Sequence, residues 1–226
     1  MDLTPLWISL KTAFTATLFA FFLGILAARC LAFYDGKWRG LLDGLLIMPL
    51  VLPPTVVGFL LLVLFGRNGP IGRILEALGT SVLFSWPAAV IAATVVAFPI
   101  MYRTALGAFE QVDYDLLSAA RTLKASEWDI FRRVLIPLAW PGIAAGTVLS
   151  FARALGEFGA TLMLAGNIPG KTQTIPIAIY FAVEGGRREA AALWVLIIIT
   201  ISLLTLWGLN YWSRNGNFLF SHGGRR

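Results

Sequence analysis

The stretch GLLIMPLVLPPTVVGFLLLVLFG, residues 44–66, carries no charged side chain over 23 consecutive positions. The hydrocarbon core of a bilayer takes roughly 20 apolar residues of helix, so this length predicts a membrane-spanning segment. Further charge-free runs that reach or approach the same length are residues 12–28, 77–102, 134–152 and 190–213. We therefore expect an all-α integral membrane protein with about five transmembrane helices.

The composition excludes the soluble classes of protein. Of 226 residues, 58% are hydrophobic and only 13% are charged, whereas soluble domains are about one quarter charged. A soluble fold of this length has too little interior to bury so much apolar surface. The single cysteine cannot form an internal disulfide. A soluble enzyme, a disordered chain and a disulfide scaffold are therefore all poor interpretations.

The predicted spans lie near residues 8–33, 43–66, 82–106, 134–160 and 190–212. They form a single domain of residues 1–213, in which residues 110–133 connect the third and fourth spans. The apolar stretch 172–183 is too short to cross a bilayer. Pro176 suits the first turn of a helix and Gly185 its end, so a short interfacial or re-entrant helix is expected there.

The basic residues predict the orientation of the chain. With the N-terminus outside, the inner loops and residues 214–226 hold eleven of the 18 Lys and Arg, and the outer loops hold five. The other two, Lys11 and Arg153, lie inside predicted spans. Loops on the cytoplasmic side carry an excess of Lys and Arg, so residues 214–226 become a cytoplasmic tail. The net charge of +6 is then an orientation signal, and no nucleic acid partner is expected.

The connection between the third and fourth spans begins with a predicted short helix over residues 113–123. Its apolar face consists of Leu116, Leu117, Ala120 and Leu123. A second short helix follows in the same connection, so the two together predict a helix–turn–helix hairpin.

The second helix of this hairpin starts at Ser126, which has an acidic residue three positions on, close to a capping box. We expect it to expose a stripe of Trp128, Phe131 and Val134 and to end at Pro137. Such a stripe lies on the membrane interface or fills a groove on a partner, and the pattern alone leaves both open.

The chain lacks the residues that catalysis would need. Its only histidine is His222, and its only cysteine is Cys30, so no metal site can be assembled from them. No GxxxxGK[ST] loop is present to hold a nucleotide. We expect no catalytic residue and no metal ligand, and any energy for uphill transport must come from a partner.

The second predicted span contains Pro49, Pro53, Pro54 and Gly58 within ten residues. Prolines interrupt the helical hydrogen bonds, and unsatisfied backbone in a membrane is tolerated only against protein or a water-filled cavity. The segment is either a bend that lines a pathway or a structural kink, and we favour the pathway.

Two charges fall within the fourth predicted span. Arg153 and Glu157 are four residues apart, which places them one turn apart on the same helical face, and Gly156 and Gly159 would let another backbone approach. Intramembrane charges usually face a bundle interior or an aqueous cavity. Either the pair only fixes packing, or Arg153 provides positive potential for an anion while Glu157 orients it. Both interpretations stay open, because pairing cancels much of the attraction.

The sequence SAARTLK at 118–124, followed by VLIP at 134–137, resembles the EAA loop of binding-protein-dependent ABC importer permeases. The spacing fits, although Ser118 replaces a glutamate, Lys124 a glycine and Ile136 a leucine of the family pattern. The resemblance implies a MetI-like fold in which the hairpin is the coupling helix that docks on an ATPase subunit. The implied coupling residues are Leu116, Leu117, Ser118, Ala119, Ala120, Leu123, Lys124 and Trp128. A non-glycine residue such as Lys124 costs about 1 kcal/mol in a left-handed turn.

The proline segment and RALGEFGAT at 153–161 resemble the molybdate, tungstate and sulfate branch of this family, and NIPGKTQTIP at 167–176 is most similar to molybdate permeases. The implied function is ATP-driven molybdate import across the bacterial inner membrane. The alternatives are import of sulfate or tungstate, or a passive anion channel, which would need no docking hairpin. The implied pathway or gate residues are Pro53, Pro54, Gly58, Arg153, Glu157 and Phe158.

The resemblance also implies the assembly around this chain. Two copies would form one pathway, with two cytoplasmic ATPase subunits and an extracytoplasmic molybdate-binding protein. ATP and magnesium would bind to the ATPase subunits, so no cofactor is expected on this chain.

Overall fold

The structure, a computed structural model, describes residues 2–220. In that part of the chain there are eleven α-helices, one π-turn and no β-strand. They are α1 (Thr4–Ala32), α2 (Arg39–Val51), α3 (Pro54–Phe65), α4 (Pro70–Ala77), α5 (Trp86–Glu110), α6 (Tyr114–Thr122), α7 (Glu127–Ile130), the π-turn (Phe131–Leu135), α8 (Ile136–Leu155), α9 (Gly159–Ala165), α10 (Ile175–Glu184) and α11 (Arg188–Phe220). The predicted all-α fold class is confirmed.

The core forms where α1, α5 and α8 pack together. On α1 a stripe of small residues recurs every four positions and is buried: Ala16, Ala20, Gly24 and Ala28. A Cβ on Gly24 would lie 2.8 Å from the Cγ of Met101 on α5, so the two backbones approach closely. Lipid is as apolar as leucine, so helices in a membrane associate through close packing of this kind rather than through the hydrophobic effect.

Four helices within residues 2–220 are long and apolar enough to cross a membrane: Thr4–Ala32, Trp86–Glu110, Glu127–Leu155 and Arg188–Gly208. The segment predicted as a span at 43–66 is divided into α2 and α3, which meet at 109° where the prolines predicted a bend or kink. Leu52 and Pro53 are extended at the bend, with ψ of 142° and 137°, since a proline disfavours helical backbone in the residue before it. If this bent pair crosses as one broken span, the total is five, as expected.

The fourth span differs from the predicted 134–160. Its helix runs without a break from Glu127 through the π-turn to Leu155, so the hairpin's second helix is continuous with the span. The prediction that this second helix ends at Pro137 is wrong. The π-turn shifts hydrogen bonding to i→i+5 directly before Pro137, which has no N–H to donate, and the helix continues past it.

The remaining helices lie at the ends of the spans. The short helix expected near 172–183 is present as α10, which has Pro176 in its first turn and Gly185 as its C-cap. The backbone N–H of Ile175 donates to Ser9 Oγ at 2.7 Å and ties α10 to α1. The helix α4 was not predicted from the sequence. The helix α11 continues past the predicted domain end at 213, and the last part of the predicted tail, residues 221–226, lies outside the described residues.

Candidate functional site

The structure brings the proline segment and the RALGEFGAT segment together, because α3 packs against α9. A Cβ on Gly58 would lie 2.8 Å from the Cα of Ala160, and a Cβ on Gly159 would lie 3.1 Å from the Cβ of Pro54. Only glycine permits contacts this close without displacement of the neighbouring backbone. Of the predicted pathway residues on this side, Gly58 is buried, while Pro53 and Pro54 at the bend are exposed.

Arg153 and Glu157 form an ion pair beside this contact, with Arg153 Nη1 2.8 Å from Glu157 Oε2. The expectation that they share one helical face is wrong, because α8 ends at Leu155 and Gly156 is its C-cap. Glu157 lies in the break before α9, where its Oε1 accepts the backbone N–H of Ala160 at 2.8 Å. The Glu157 side chain is 1% exposed and that of Arg153 is 28% exposed. Glu157 therefore both neutralises Arg153 and satisfies an otherwise unpaired donor at the start of α9.

The glycines around this pair behave differently from one another. Gly159 makes the close contact expected of it, but at Gly156 the nearest neighbour of an added Cβ is the Ala152 carbonyl of its own helix, 3.7 Å away. Gly156 thus ends a helix instead of admitting a second backbone. Phe158 follows the ion pair and packs against Tyr180 of α10, with ring centroids 5.2 Å apart.

The predicted hairpin is present as α6 and α7, and side chains cap both helices. Asp113 accepts the N–H of Asp115 at 2.9 Å. Ser126 accepts the N–H of Asp129 at 3.1 Å, as the capping pattern at Ser126 predicted. Lys124 stands in the turn between them with φ of 61°. It therefore occupies the left-handed position that the family pattern gives to glycine, where a side chain is strained.

The predicted coupling residues divide by exposure. Leu117 is buried and anchors α6 to the core, and Ser118 and Ala120 are half-buried. The exposed members are Leu116, Ala119, Leu123, Lys124 and Trp128. Leu123 at the turn is 84% exposed, which is unusual for a leucine at the end of a structured hairpin.

The predicted exposed stripe on the second helix is wrong in part. Trp128 is exposed, but Phe131 is 8% exposed and packs edge-to-face on Phe109, with ring centroids 6.1 Å apart. Val134 is half-buried. The stripe turns inward because α7 continues into a membrane span, whose core-facing side it shares.

The contacts that hold the hairpin together and against α1 were not predicted from the sequence. The guanidinium of Arg29 lies 4.3 Å from the ring centroid of Phe131 and 5.4 Å from that of Trp128. Arg121 forms a bidentate pair with Glu127, at 2.7 and 3.2 Å. The hydrogen bond to Glu127 raises the pKa of the Arg121 guanidinium above its usual value.

The polar attachment of α2 was also missed. No residue of α2 is fully buried. Asp43 of α2 contacts two residues of α5. It accepts a hydrogen bond from Tyr102 Oη at 2.7 Å and forms an ion pair with Arg103 at 3.0 Å. A second ion pair joins Arg39, the first residue of α2, to Glu110, the last residue of α5, at 2.7 Å. The available signal was the presence of opposite charges at the ends of neighbouring apolar runs.

Comparisons with known proteins identify the family of this chain. Residues 20–214 match the family of binding-protein-dependent transport system inner membrane components. The molybdenum transport system permease protein ModB of Escherichia coli K12 is 48% identical over 202 residues, 88% of each chain. That of Haemophilus influenzae is 44% identical over 208 residues, 91% of each chain.

A solved structure shows the same fold at low sequence identity. A bacterial ABC transporter involved in the import of the acidic polysaccharide alginate superposes with a TM-score of 0.78, at 18% identity, over 94% of this chain and 79% of that one. The match of the family extends over most of the chain and includes the proline segment, the hairpin and the ion pair. This chain therefore belongs to the family of binding-protein-dependent transport system inner membrane components, as a multi-pass protein of the inner membrane.

Proposed function

We propose that this chain is the membrane-spanning subunit of an ATP-driven importer of molybdate. The assignment of molybdate as the substrate rests on the near-full-length similarity to permease proteins of molybdenum transport systems, at 48% identity to that of Escherichia coli. The family itself implies an ATPase and a substrate-binding protein as partners.

The hairpin of α6 and α7 is the proposed coupling element. Its exposed apolar residues, Leu116, Leu123 and Trp128, suit a hydrophobic groove on an ATPase subunit. Buried Leu117 and the Arg121–Glu127 ion pair hold the two helices of the hairpin in place. The second of them, α7, is continuous with α8. A displacement of the hairpin would therefore move a membrane span directly, without a flexible linker in between.

The contact between α3 and α9 is the proposed gate of the pathway. The bend at Pro53 and Pro54 and the break at Glu157 and Phe158 leave non-helical backbone, which a membrane tolerates only against protein or water. Arg153 would then place positive potential near an anionic substrate. Selectivity would lie mostly in the binding protein, so no deep oxyanion site is required in this chain.

The remaining assembly follows from this assignment. Two copies of the chain form one pathway, two cytoplasmic ATPase subunits bind ATP and magnesium, and an extracytoplasmic protein delivers molybdate. The chain itself contributes no ATPase site and no cofactor. The N-terminus lies outside and residues 214–226 lie in the cytoplasm, which places the hairpin on the ATPase side.

Reconstitution tests this function. The chain is assembled in proteoliposomes with its ATPase subunit and binding protein, and ATP hydrolysis and oxyanion uptake are measured with molybdate, tungstate or sulfate. We expect molybdate-loaded binding protein to stimulate hydrolysis and uptake the most. Stronger stimulation by sulfate or tungstate would assign one of those cargoes instead. Uptake that proceeds without ATP would show a passive anion channel and would overturn the proposal.

A further inference from the structure

An apolar groove runs between α1 and α5, beside the proline of α2. It has a volume of about 510 Å³, within the range of small-molecule sites. Its walls include Leu23 and Leu26 of α1, Pro49 of α2, and Val95 and Phe98 of α5. We call it the α1–α5 groove.

The one hydroxyl of the α1–α5 groove has no proton left to donate to a ligand. Thr94 lines it, but this hydroxyl donates to the Val90 carbonyl of its own helix at 2.7 Å. The rest of the lining is apolar, so a polar ligand would lose most of its hydration there, whereas a hydrocarbon chain has none to lose.

A second cavity of about 360 Å³ continues from one end of the groove, because Leu26 and Cys30 line both. We call it the arginine cavity, since Arg29 and Arg121 line it together with Glu127. Arg29 stands in the last turn of α1, where that predicted membrane span ends. The arginine cavity therefore lies where lipid headgroups begin, and the groove lies at the depth of acyl chains.

The charges around the arginine cavity leave one cation in excess. Arg121 is neutralised by Glu127 in a bidentate pair. Among the side chains that the structure describes, no carboxylate forms an ion pair with Arg29. A group with a single negative charge is the complement of this cavity.

We propose that the arginine cavity and the α1–α5 groove together bind one anionic phospholipid. The phosphodiester meets Arg29 and Arg121, and an acyl chain lies in the α1–α5 groove. The site is separate from the ion pair at Arg153 and does not depend on which oxyanion is transported. Its occupancy would brace α1 against the base of the hairpin, because Arg29 also contacts Phe131 and Trp128.

The native cysteine makes the site measurable. Cys30 is the only cysteine of the chain, is exposed, and lies where the two cavities join. The assembled complex is purified in lipid-free detergent, and alkylation of Cys30 by a maleimide is followed by mass spectrometry of its peptide. We expect phosphatidylglycerol to slow alkylation in a saturable manner, phosphatidylcholine to slow it much less, and glycerol phosphate to leave it unchanged.

Two variants separate the headgroup contact from the acyl chain contact. Arg29→Gln raises the phosphatidylglycerol concentration needed for protection by about fivefold, the contribution of one cation near an anionic lipid. Leu23→Trp fills the groove without entering the arginine cavity, keeps Arg29, and also weakens protection. The matched control for charge is Arg39→Gln, since Arg39 lines neither cavity.

A relocated cysteine controls for general shielding by lipid. Phe19→Cys in a Cys30→Ser background places the thiol on an exposed position of the same helix, outside both cavities. Equal protection of that thiol by phosphatidylglycerol would overturn the proposal. So would equal protection of Cys30 by phosphatidylcholine or protection by glycerol phosphate alone. A Cys30 that is unreactive before lipid is added, in a complex whose mass spectrum contains no bound phospholipid, would mean that a protein chain covers the site and would also overturn the proposal.

Discussion

Arg153 and Glu157 meet at 2.8 Å across the end of α8, not along one helical face. The arrangement gives Glu157 two partners, since its second oxygen accepts the N–H of Ala160 on the next helix. Removal of either charge alone therefore has a structural cost that must be separated from any effect on transport.

A double-mutant cycle measures that cost. Arg153→Gln leaves the buried Glu157 carboxylate without its partner, and breaking a buried pair in this way costs about 3 kcal/mol. Glu157→Gln keeps an oxygen for Ala160 and should cost less, because the Arg153 side chain is 28% exposed and water can solvate it. The double variant should lie close to the wild type. Thermal unfolding of the purified complex gives the three values. A double variant less stable than either single one would contradict this account.

The double variant Arg153→Gln/Glu157→Gln is also the right protein for the transport test. It lacks both charges and keeps a side-chain oxygen at residue 157 to accept the N–H of Ala160. If Arg153 provides potential for the anion, uptake should fall while ATPase stimulation by loaded binding protein and subunit assembly persist. Unchanged uptake would leave the pair with a purely structural role.

The close approach of α3 to α9 predicts a severe effect of a single methyl group. Gly58→Ala would bring a Cβ to 2.8 Å from the Ala160 backbone, and overpacking of this kind costs about 1–3 kcal/mol. We expect a lower unfolding temperature in detergent. Gly44→Ala is the control, because an added Cβ there meets nothing within 4 Å. Equal effects of the two substitutions would show that α3 does not pack on α9 as described.

The hairpin surface predicts a specific loss of assembly. Leu123 is 84% exposed, so Leu123→Glu should not disturb folding or membrane insertion, but it should prevent docking into an apolar groove. Co-purification with the ATPase subunit is the measurement. Leu78→Glu, at a leucine that is 74% exposed outside the hairpin, provides the control and should assemble normally. Retained assembly of Leu123→Glu would remove this residue from the interface.

The turn of the hairpin predicts a stabilising substitution. Lys124 holds φ of 61°, a conformation that costs an L-residue about 1 kcal/mol or more and costs glycine little. Lys124→Gly should therefore raise the unfolding temperature of the complex. Lys124→Ala keeps a Cβ while it removes the charge, so it should not raise the unfolding temperature. Stabilisation by both variants would point to the charge instead of the backbone.

The polar contacts of Asp43 predict that their loss loosens α2 locally. Asp43→Asn weakens the contacts to Tyr102 and Arg103, which hold α2 to α5 together with the Arg39–Glu110 pair and the half-buried Leu46 and Ile47. A partly exposed pair contributes up to about 1 kcal/mol, so amide exchange in α2 should quicken by up to about fivefold. Asp35→Asn, at an exposed acid outside α2, should leave exchange unchanged. Equal exchange in both variants would mean that packing, not charge, holds α2.

Local sequence patterns predicted most of the elements. Charge-free runs located the four long helices, the prolines at 53 and 54 located the break between α2 and α3, and the cap at Ser126 located the start of α7. These features depend on residues within a few positions of one another, and a single stretch of sequence contains them in full. Lys124 in a left-handed turn was expected from the family pattern in the same way.

The sequence alone thus determined that this is a multi-span helical membrane protein with a capped hairpin, a proline-broken segment and two intramembrane charges. Only the tertiary structure decided which of these parts meet. It placed Gly58 against Ala160, Arg29 over Phe131, and Asp43 beside Arg103, 60 residues apart. The reason is that hydrophobic periodicity tells which face of a helix is apolar, whereas the partner of that face depends on shape and charge complementarity between distant segments.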